Sequence, residues 1–243
     1  MSPPEPPAET RASLGVGTAA AVWFGSVLAS VLGFQAVVAA SGHSGDSTEL
    51  LPFWLHPTMS LVVLWVPVIF GLWWAQRRYL PGSFSAAYGL RFRWLDLLGV
   101  PVGVVSQLFV LRVLYWPLSR WFPGTFSHDD VERSARQLTE RAHGGWRVVL
   151  VLAVVVGAPV VEELLYRGLI LGAVRRRVGA PLALAVGAVW FAAAHFQGVQ
   201  FIGLLAFGLI LGLCWQGTGR LGLGIVAHAA FNATSLVLLW PKH

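Results

Sequence analysis

Long apolar stretches alternate with short polar segments along most of the chain. A helix needs about 20 apolar residues to cross the hydrocarbon core of a bilayer, and several of these stretches reach or approach that length. They predict membrane helices over residues 13–40, 55–76, 95–118, 146–173, 181–196, 199–216 and 221–240. We therefore expect an all-α fold, a polytopic transmembrane helical bundle of about seven to eight helices.

The composition places most of the chain in lipid rather than in water. Hydrophobic residues make up 56% and charged residues 12% of the 243 residues, which is more apolar surface than one soluble core of this size can bury. The formal net charge is +6, but the arginines sit in short clusters between apolar segments, so the expected partner is the lipid bilayer and not nucleic acid. The Arg-, Ala- and Gly-rich composition indicates a multi-pass protein of a bacterial cell (plasma) membrane.

Two arginine clusters predict the orientation of the helices. The first comprises Arg77, Arg78, Arg91 and Arg93, and the second comprises Arg175, Arg176 and Arg177. Two predicted crossings separate the clusters, so both fall on one side of the membrane, which the excess of basic residues marks as cytoplasmic. This orientation puts the N-terminus in the cytoplasm.

Polar segments divide the chain into four predicted parts. Residues 1–12 are rich in Pro and Glu and predict a disordered tail, and residues 13–118 contain the N-terminal transmembrane helices. The stretch 119–145 has acidic residues early and arginines late, the order that a helix dipole favours, and predicts an exposed or interfacial helix. Residues 146–240 form a membrane core that contains the candidate chemistry.

Three charged residues interrupt the fourth predicted span: Glu162, Glu163 and Arg167. A charge that faces lipid at mid-depth costs roughly 2.5–3.5 kcal/mol, so we expect these side chains to face a protein interior or a water-filled cavity. Glu163 and Arg167 are four residues apart, which allows an ion pair and gives them a supporting role. Glu162 lies about 100° further round the helix and is the better candidate for chemistry.

Two later spans add His195, His228 and Asn232 to this polar set. A single buried histidine is usually a satisfied core residue, but here two imidazoles, two carboxylates and an amide fall within otherwise apolar spans. His228 and Asn232 are four residues apart and share one helix face. Such a set within a membrane points to function rather than to packing.

Peptide hydrolysis needs an activated water, a general base and a group that stabilises the oxyanion, and these residues can supply all three. In one version, Glu162 and His195 polarise the water while His228 and Asn232 donate hydrogen bonds to the oxyanion. In the other, Glu162, His195 and His228 are metal ligands that hold a Zn²⁺ ion, and Glu163 lies behind them or serves as the base. The residues leave both versions open.

The three polar motifs resemble those of the CPBP superfamily, which includes the type II CAAX prenyl endopeptidases and the bacterial Abi proteins. Glu162 to Arg167 is similar to the EExxxR motif, Phe191 to His195 to the FxxxH motif, and His228 to Asn232 to the HxxxN motif. The resemblance covers about residues 146–236. It implies a CPBP-like α-helical core with a cleft, and an intramembrane glutamic or metallo-endopeptidase. Glu162, His195, His228 and Asn232 would then be catalytic, and Glu163 and Arg167 supporting.

The expected substrate is a membrane protein or peptide that is membrane-associated, lipidated or carries a sorting tail. The family resemblance also implies bacteriocin processing and cleavage of anti-sigma factors as alternatives within this class. Two readings compete with the peptidase: a non-catalytic immunity or scaffold protein, and a transporter or proton relay, because buried Glu and His also form proton paths.

Overall fold

The computed structural model describes residues 14–40, 63–127 and 144–240, and in addition residues 131, 133, 136, 137, 139, 140 and 142. Every element assigned in this part of the chain is helical, which confirms the predicted all-α fold. The helices of the continuous ranges are α1 (Val16–Ala40), α2 (Trp65–Tyr79), α3 (Phe84–Tyr88), α4 (Trp94–Trp121), α5 (Trp146–Arg175), α6 (Ala180–Ala193), α7 (Phe201–Thr218) and α8 (Gly222–Leu239).

Five of the described helices are long and apolar enough to cross a membrane: α1, α4, α5, α7 and α8. Each predicted span overlaps one helix of the described chain, as expected for a polytopic bundle. The predicted tail 1–12, the start of the second predicted span and much of the polar stretch 119–145 lie outside the described residues. The division of the chain into four parts and its orientation in the membrane stay predictions.

The short helix α3 has no counterpart in the apolar pattern. Ser83 caps its first turn, because the hydroxyl oxygen accepts a hydrogen bond from the Ala86 N–H at 3.3 Å. Gly89 ends it in the left-handed conformation at φ 69°, which favours glycine. The chain then reaches the start of α4 within a few residues.

Helix α6 is too short to cross a membrane. Its 14 residues extend about 21 Å, whereas the hydrocarbon core is about 30 Å thick. The chain turns directly after the helix, and Phe196 in this turn has φ 54°, an uncommon conformation for a residue with a side chain. His195 therefore lies just beyond a helix end, and the membrane helix predicted over residues 181–196 is a shorter helix followed by a turn.

Glycines bring α4 and α8 into backbone contact. A Cβ atom added to Gly103 would lie 2.1 Å from the Ala227 carbonyl oxygen and 2.7 Å from the Phe231 nitrogen. One turn earlier, a Cβ atom on Gly99 would lie 2.6 Å from the Ala227 nitrogen. Only glycine permits this approach, so the packing of α4 fixes the position of the helix that carries His228.

The buried core is centred on the second half of α5 and packs against α1, α2 and α6. Its most buried apolar residues on α5 are Leu169, Ile170, Leu171 and Ala173. Large apolar side chains on the outer faces of α1, α2 and α4 remain exposed, including Phe24 at 62%, Phe70 at 62% and Val113 at 71%. These faces have the composition of a surface that contacts lipid.

Candidate active site

The backbone of α5 departs from α-helical geometry on both sides of the carboxylates. Residues Leu152–Gly157 and Glu163–Leu171 form π-helical segments, in which each N–H bonds to the carbonyl five residues earlier. Pro159 lies between them, near the start of the segment Ala158–Glu162. Wider turns of this kind are frequent at functional sites, and here they decide which groups of α5 point toward α8.

Glu163 and Arg167 form the ion pair that their spacing predicts. The Arg167 Nη1 atom donates to Glu163 Oε1 at 2.7 Å, and the two side chains are 3% and 0% exposed. Arg167 also donates from Nη2 to the Gly208 carbonyl at 3.2 Å, and its guanidinium lies 4.4 Å from the centroid of the Phe191 ring. Both charges are thus compensated inside the bundle, as buried charges must be.

Glu162 lies on a different face of α5 and is directed at two histidines. Its Oε2 atom is 3.8 Å from His195 Nε2 and 3.9 Å from His228 Nε2. This oxygen is itself buried and has no hydrogen-bond partner among the described residues, although the side chain as a whole is 26% exposed. A buried carboxylate oxygen without a partner marks a place where a further group is accommodated.

The other ring nitrogen of each histidine is already engaged. His195 Nδ1 is 2.7 Å from the Phe191 carbonyl oxygen, and His228 Nδ1 is 3.2 Å from Glu163 Oε1. A carbonyl and an ionised carboxylate only accept hydrogen bonds, so both Nδ1 atoms carry the proton. In the neutral rings, both Nε2 atoms then present lone pairs toward Glu162, and three acceptors converge on one point.

Three converging acceptors need a proton donor or a cation between them. One carboxylate and two imidazoles are donors that Zn²⁺ accepts, so the chemistry of the set fits this metal. Their spacing is wider than a closed site requires: two ligands at about 2.1 Å from one zinc ion in tetrahedral geometry are about 3.4 Å apart. Accordingly, no group of three or more His, Cys, Asp or Glu side chains in the described chain is arranged to hold a metal ion. A water molecule that donates to both members of a pair fits the observed distances.

Asn232 lies one turn after His228, but the structure shows its amide engaged with α5. The Nδ2 atom donates to the Val154 carbonyl at 2.8 Å. In the π-helical pattern, the Ala158 N–H donates to the Ala153 carbonyl. The next carbonyl, that of Val154, would accept from residue 159, but this residue is a proline and has no N–H. Because of the proline, the Val154 carbonyl is available to accept from Asn232. The Asn232 amide then has one proton left for the predicted hydrogen bond to the oxyanion.

Aromatic rings and glycines that the polar pattern does not single out complete the site. The Phe191 ring contacts His195 edge to face at a centroid distance of 4.7 Å, and the Phe207 ring lies 5.4 Å from His228. A Cβ atom on Gly224 would lie 2.9 Å from Glu163 Oε2, so the missing side chain makes room for the carboxylate. The sequence contains a signal for each of two of these residues, because each is four residues before a candidate histidine on the same helix face: Phe191 before His195, and Gly224 before His228.

Comparison with known proteins finds a similarity in the part of the chain that contains this site. Residues 144–234 match the family model described as Type II CAAX prenyl endopeptidase Rce1-like. No curated protein and no solved structure matches the chain. The match contains all six candidate residues and confirms the resemblance drawn from the three motifs. Residues 144–234 of this membrane protein are therefore similar to the Rce1-like type II CAAX prenyl endopeptidases, a group within the CPBP family.

Proposed function

We propose that this chain is an intramembrane endopeptidase in which Glu162 activates the attacking water. The observation that carries the proposal is the convergence of three lone-pair acceptors, Glu162 Oε2 and the Nε2 atoms of His195 and His228, at 3.8 and 3.9 Å. A water molecule between them would donate both its protons to this set and keep an oxygen lone pair for attack. The buried, unpartnered carboxylate oxygen supports the same arrangement.

In the proposed reaction, Glu162 takes one proton from the water as its oxygen attacks the carbonyl carbon of the scissile peptide bond. The C–N bond then breaks, and the protonated Glu162 returns the proton to the leaving amine. His195 orients the water through Nε2, because its Nδ1 proton is fixed on the Phe191 carbonyl. Each proton taken up is returned, so the residues end the cycle in their starting state.

The oxyanion of the tetrahedral intermediate requires donors in the same site. Asn232 supplies one through the amide proton that does not bond to Val154. His228 keeps its Nδ1–H on the Glu163 carboxylate, so its Nε2 atom accepts from the attacking water and orients it. Glu163 and Arg167 are positioning residues in this scheme, since they orient His228 and do not touch the reacting atoms.

A metal would occupy the same place as the proposed water. Glu162, His195 and His228 would hold Zn²⁺, which would polarise the scissile carbonyl and lower the pKa of a bound water. The spacing of the three side chains favours the water version, because the metal version requires them to move together by about 0.4 Å per pair.

The proposed substrate is a membrane protein or peptide, cut at a peptide bond near the membrane in a lipidated or sorted segment. The family match supports this class, because the family is described as one of CAAX prenyl endopeptidases. The proposed location is the bacterial cell membrane, as the arginine clusters and composition suggest.

The test compares wild type with Glu162→Gln and His195→Ala in the native host, and scores membrane and secreted proteins by terminal-peptide mass spectrometry. Glu140→Gln is the matched control, because it makes the same chemical change at an exposed residue. We expect both site variants to accumulate the same uncleaved precursors, while the control resembles wild type. Unchanged termini in folded, inserted site variants would refute the peptidase function and favour an immunity or scaffold role.

A further inference from the structure

A basic cleft of about 280 Å³ lies between the α3–α4 segment and the α7–α8 segment and shares no lining residue with the candidate active site. Three arginines line it: Arg91 and Arg93 from the first segment and Arg220 from the second. The cleft also contains backbone of both segments, and its surface is mainly polar. None of these arginines takes part in the proposed peptidase chemistry.

The two segments that form the cleft are fastened to each other. The Leu221 N–H donates to the Gly89 carbonyl at 2.8 Å, and a Cβ atom on Gly89 would lie 3.1 Å from the Gly219 carbonyl oxygen. Asp96, which is 2% exposed, accepts from Arg220 Nη1 at 2.6 Å and from the Arg93 N–H at 2.7 Å. The arginines therefore project from a rigid frame rather than from free loops.

The cleft has an excess of positive charge. The buried carboxylate of Asp96, which contacts the cleft-lining Arg220, is committed to that arginine. The guanidinium groups of Arg91 and Arg93 are exposed, and neither has a carboxylate partner within the part of the chain that the structure describes. One of the three guanidinium groups is neutralised by a carboxylate, so the cleft has two net positive charges. This charge favours the binding of an anion.

The neighbours of these arginines place the cleft at the edge of the membrane. Phe92 is 57% exposed and Trp94 is 78% exposed, and they alternate with the arginines in sequence. Exposed Trp and basic residues at the end of an apolar helix are typical of the headgroup level. The arginine clusters predict that this end faces the cytoplasm, where the leaflet carries anionic lipids.

We propose that the cleft binds the phosphodiester headgroup of an anionic phospholipid. Guanidinium forks bind phosphate oxygens in pairs, and Arg91 and Arg93 provide two such forks that are free for this purpose. The bound lipid holds the start of α4 against the start of α8, which are the two helices joined by the Gly103 contact. This site does not depend on the peptidase function, because binding is measured without cleavage.

The test measures lipid binding to the purified full-length protein in phosphatidylcholine nanodiscs with increasing phosphatidylglycerol. Native mass spectrometry counts retained lipids, and thermal melting reports their effect on stability. The variant Arg91→Gln/Arg93→Gln removes the two unpaired charges of the cleft. Arg77→Gln/Arg78→Gln is the matched control: it removes equal charge from residues that stack on Trp73 and Tyr79 instead.

We expect phosphatidylglycerol, but not phosphatidylcholine, to raise the melting temperature of the wild-type protein in a saturable manner. The cleft variant should bind phosphatidylglycerol about 30-fold more weakly, from roughly fivefold for each arginine near an anionic surface, and the control should stay within about twofold. Equal losses in both variants would mean diffuse surface attraction and would overturn the proposal. Binding of inorganic phosphate with the affinity of the lipid would also overturn it, in favour of a soluble anion.

Discussion

The buried pair Glu163–Arg167 allows a double-mutant cycle that tests how the charges are held. Replacing Arg167 by Met leaves the Glu163 carboxylate, which is 0% exposed, with His228 Nδ1 at 3.2 Å as its only partner among the described residues. Replacing Glu163 by Leu leaves the guanidinium with the Gly208 carbonyl and the Phe191 ring. The double variant Glu163→Leu/Arg167→Met contains neither charge.

The structure sets the expected magnitudes. Each single substitution leaves an uncompensated buried charge, which costs about 3–5 kcal/mol of stability. The double variant leaves only the His228 Nδ1–H without an acceptor, which costs about 1–3 kcal/mol. The sum of the single effects is therefore about 6–10 kcal/mol, and the double variant should be several kcal/mol less destabilised than that sum.

The free energy of unfolding is measured for the four proteins of the cycle in mixed micelles, with increasing denaturing detergent and circular dichroism as the readout. Cleavage of a substrate identified in the host serves as a second readout. The double variant should fold well yet lose activity, because His228 has lost the group that orients it. Additive single effects, or a loss below about 1 kcal/mol for either single variant, would refute a desolvated ion pair.

Further substitutions test the helix contacts and the proposed water. Gly103→Ala should destabilise the protein by more than about 2 kcal/mol and lower the cleavage rate, because its Cβ would lie 2.1 Å from the Ala227 oxygen. Gly25→Ala is the control: its Cβ would have no atom within 4 Å, so it should be neutral or stabilising in the same unfolding assay. Asn232→Ala should cost about 1 kcal/mol through the lost bond to Val154 and should also lower the cleavage rate; an unaltered rate would remove this residue from the mechanism. Chelators should leave cleavage by the purified protein unchanged, and stoichiometric zinc together with chelator inhibition would replace the water version by the metal version.

Hydropathy located the five described helices that are long and apolar enough to cross a membrane, because each of them overlaps a predicted span. It also predicted a crossing over residues 181–196, where the described helix α6 is too short. Local spacing was sufficient to predict the Glu163–Arg167 ion pair, since side chains four residues apart on one helix lie close together. Local spacing also separated Glu162 from this pair. The catalytic roles of Glu162, His195, His228 and Asn232 stay predictions.

The remaining features depend on contacts between distant segments, which a single sequence does not encode visibly. Asp96 and Arg220 are 124 residues apart, so nothing in the local pattern of either residue indicates their ion pair or the basic cleft beside it. The bond from Asn232 to Val154 requires both a π-helical turn and the missing N–H of Pro159. The orientation of each imidazole depends on a partner of its Nδ1 atom that only the folded structure identifies.

The contact between α4 and α8 joins a helix outside the matched region to a helix within it. Gly103 lies outside residues 144–234, the region that the family model matches, yet its backbone rests on the helix that carries His228. Helix α4 is thus a mechanical support for the site, supplied by a part of the protein outside the matched region. A shift of α4 would retune the reactivity of the site while every motif residue stayed unchanged, so related proteins can share the motifs and still differ in rate or substrate.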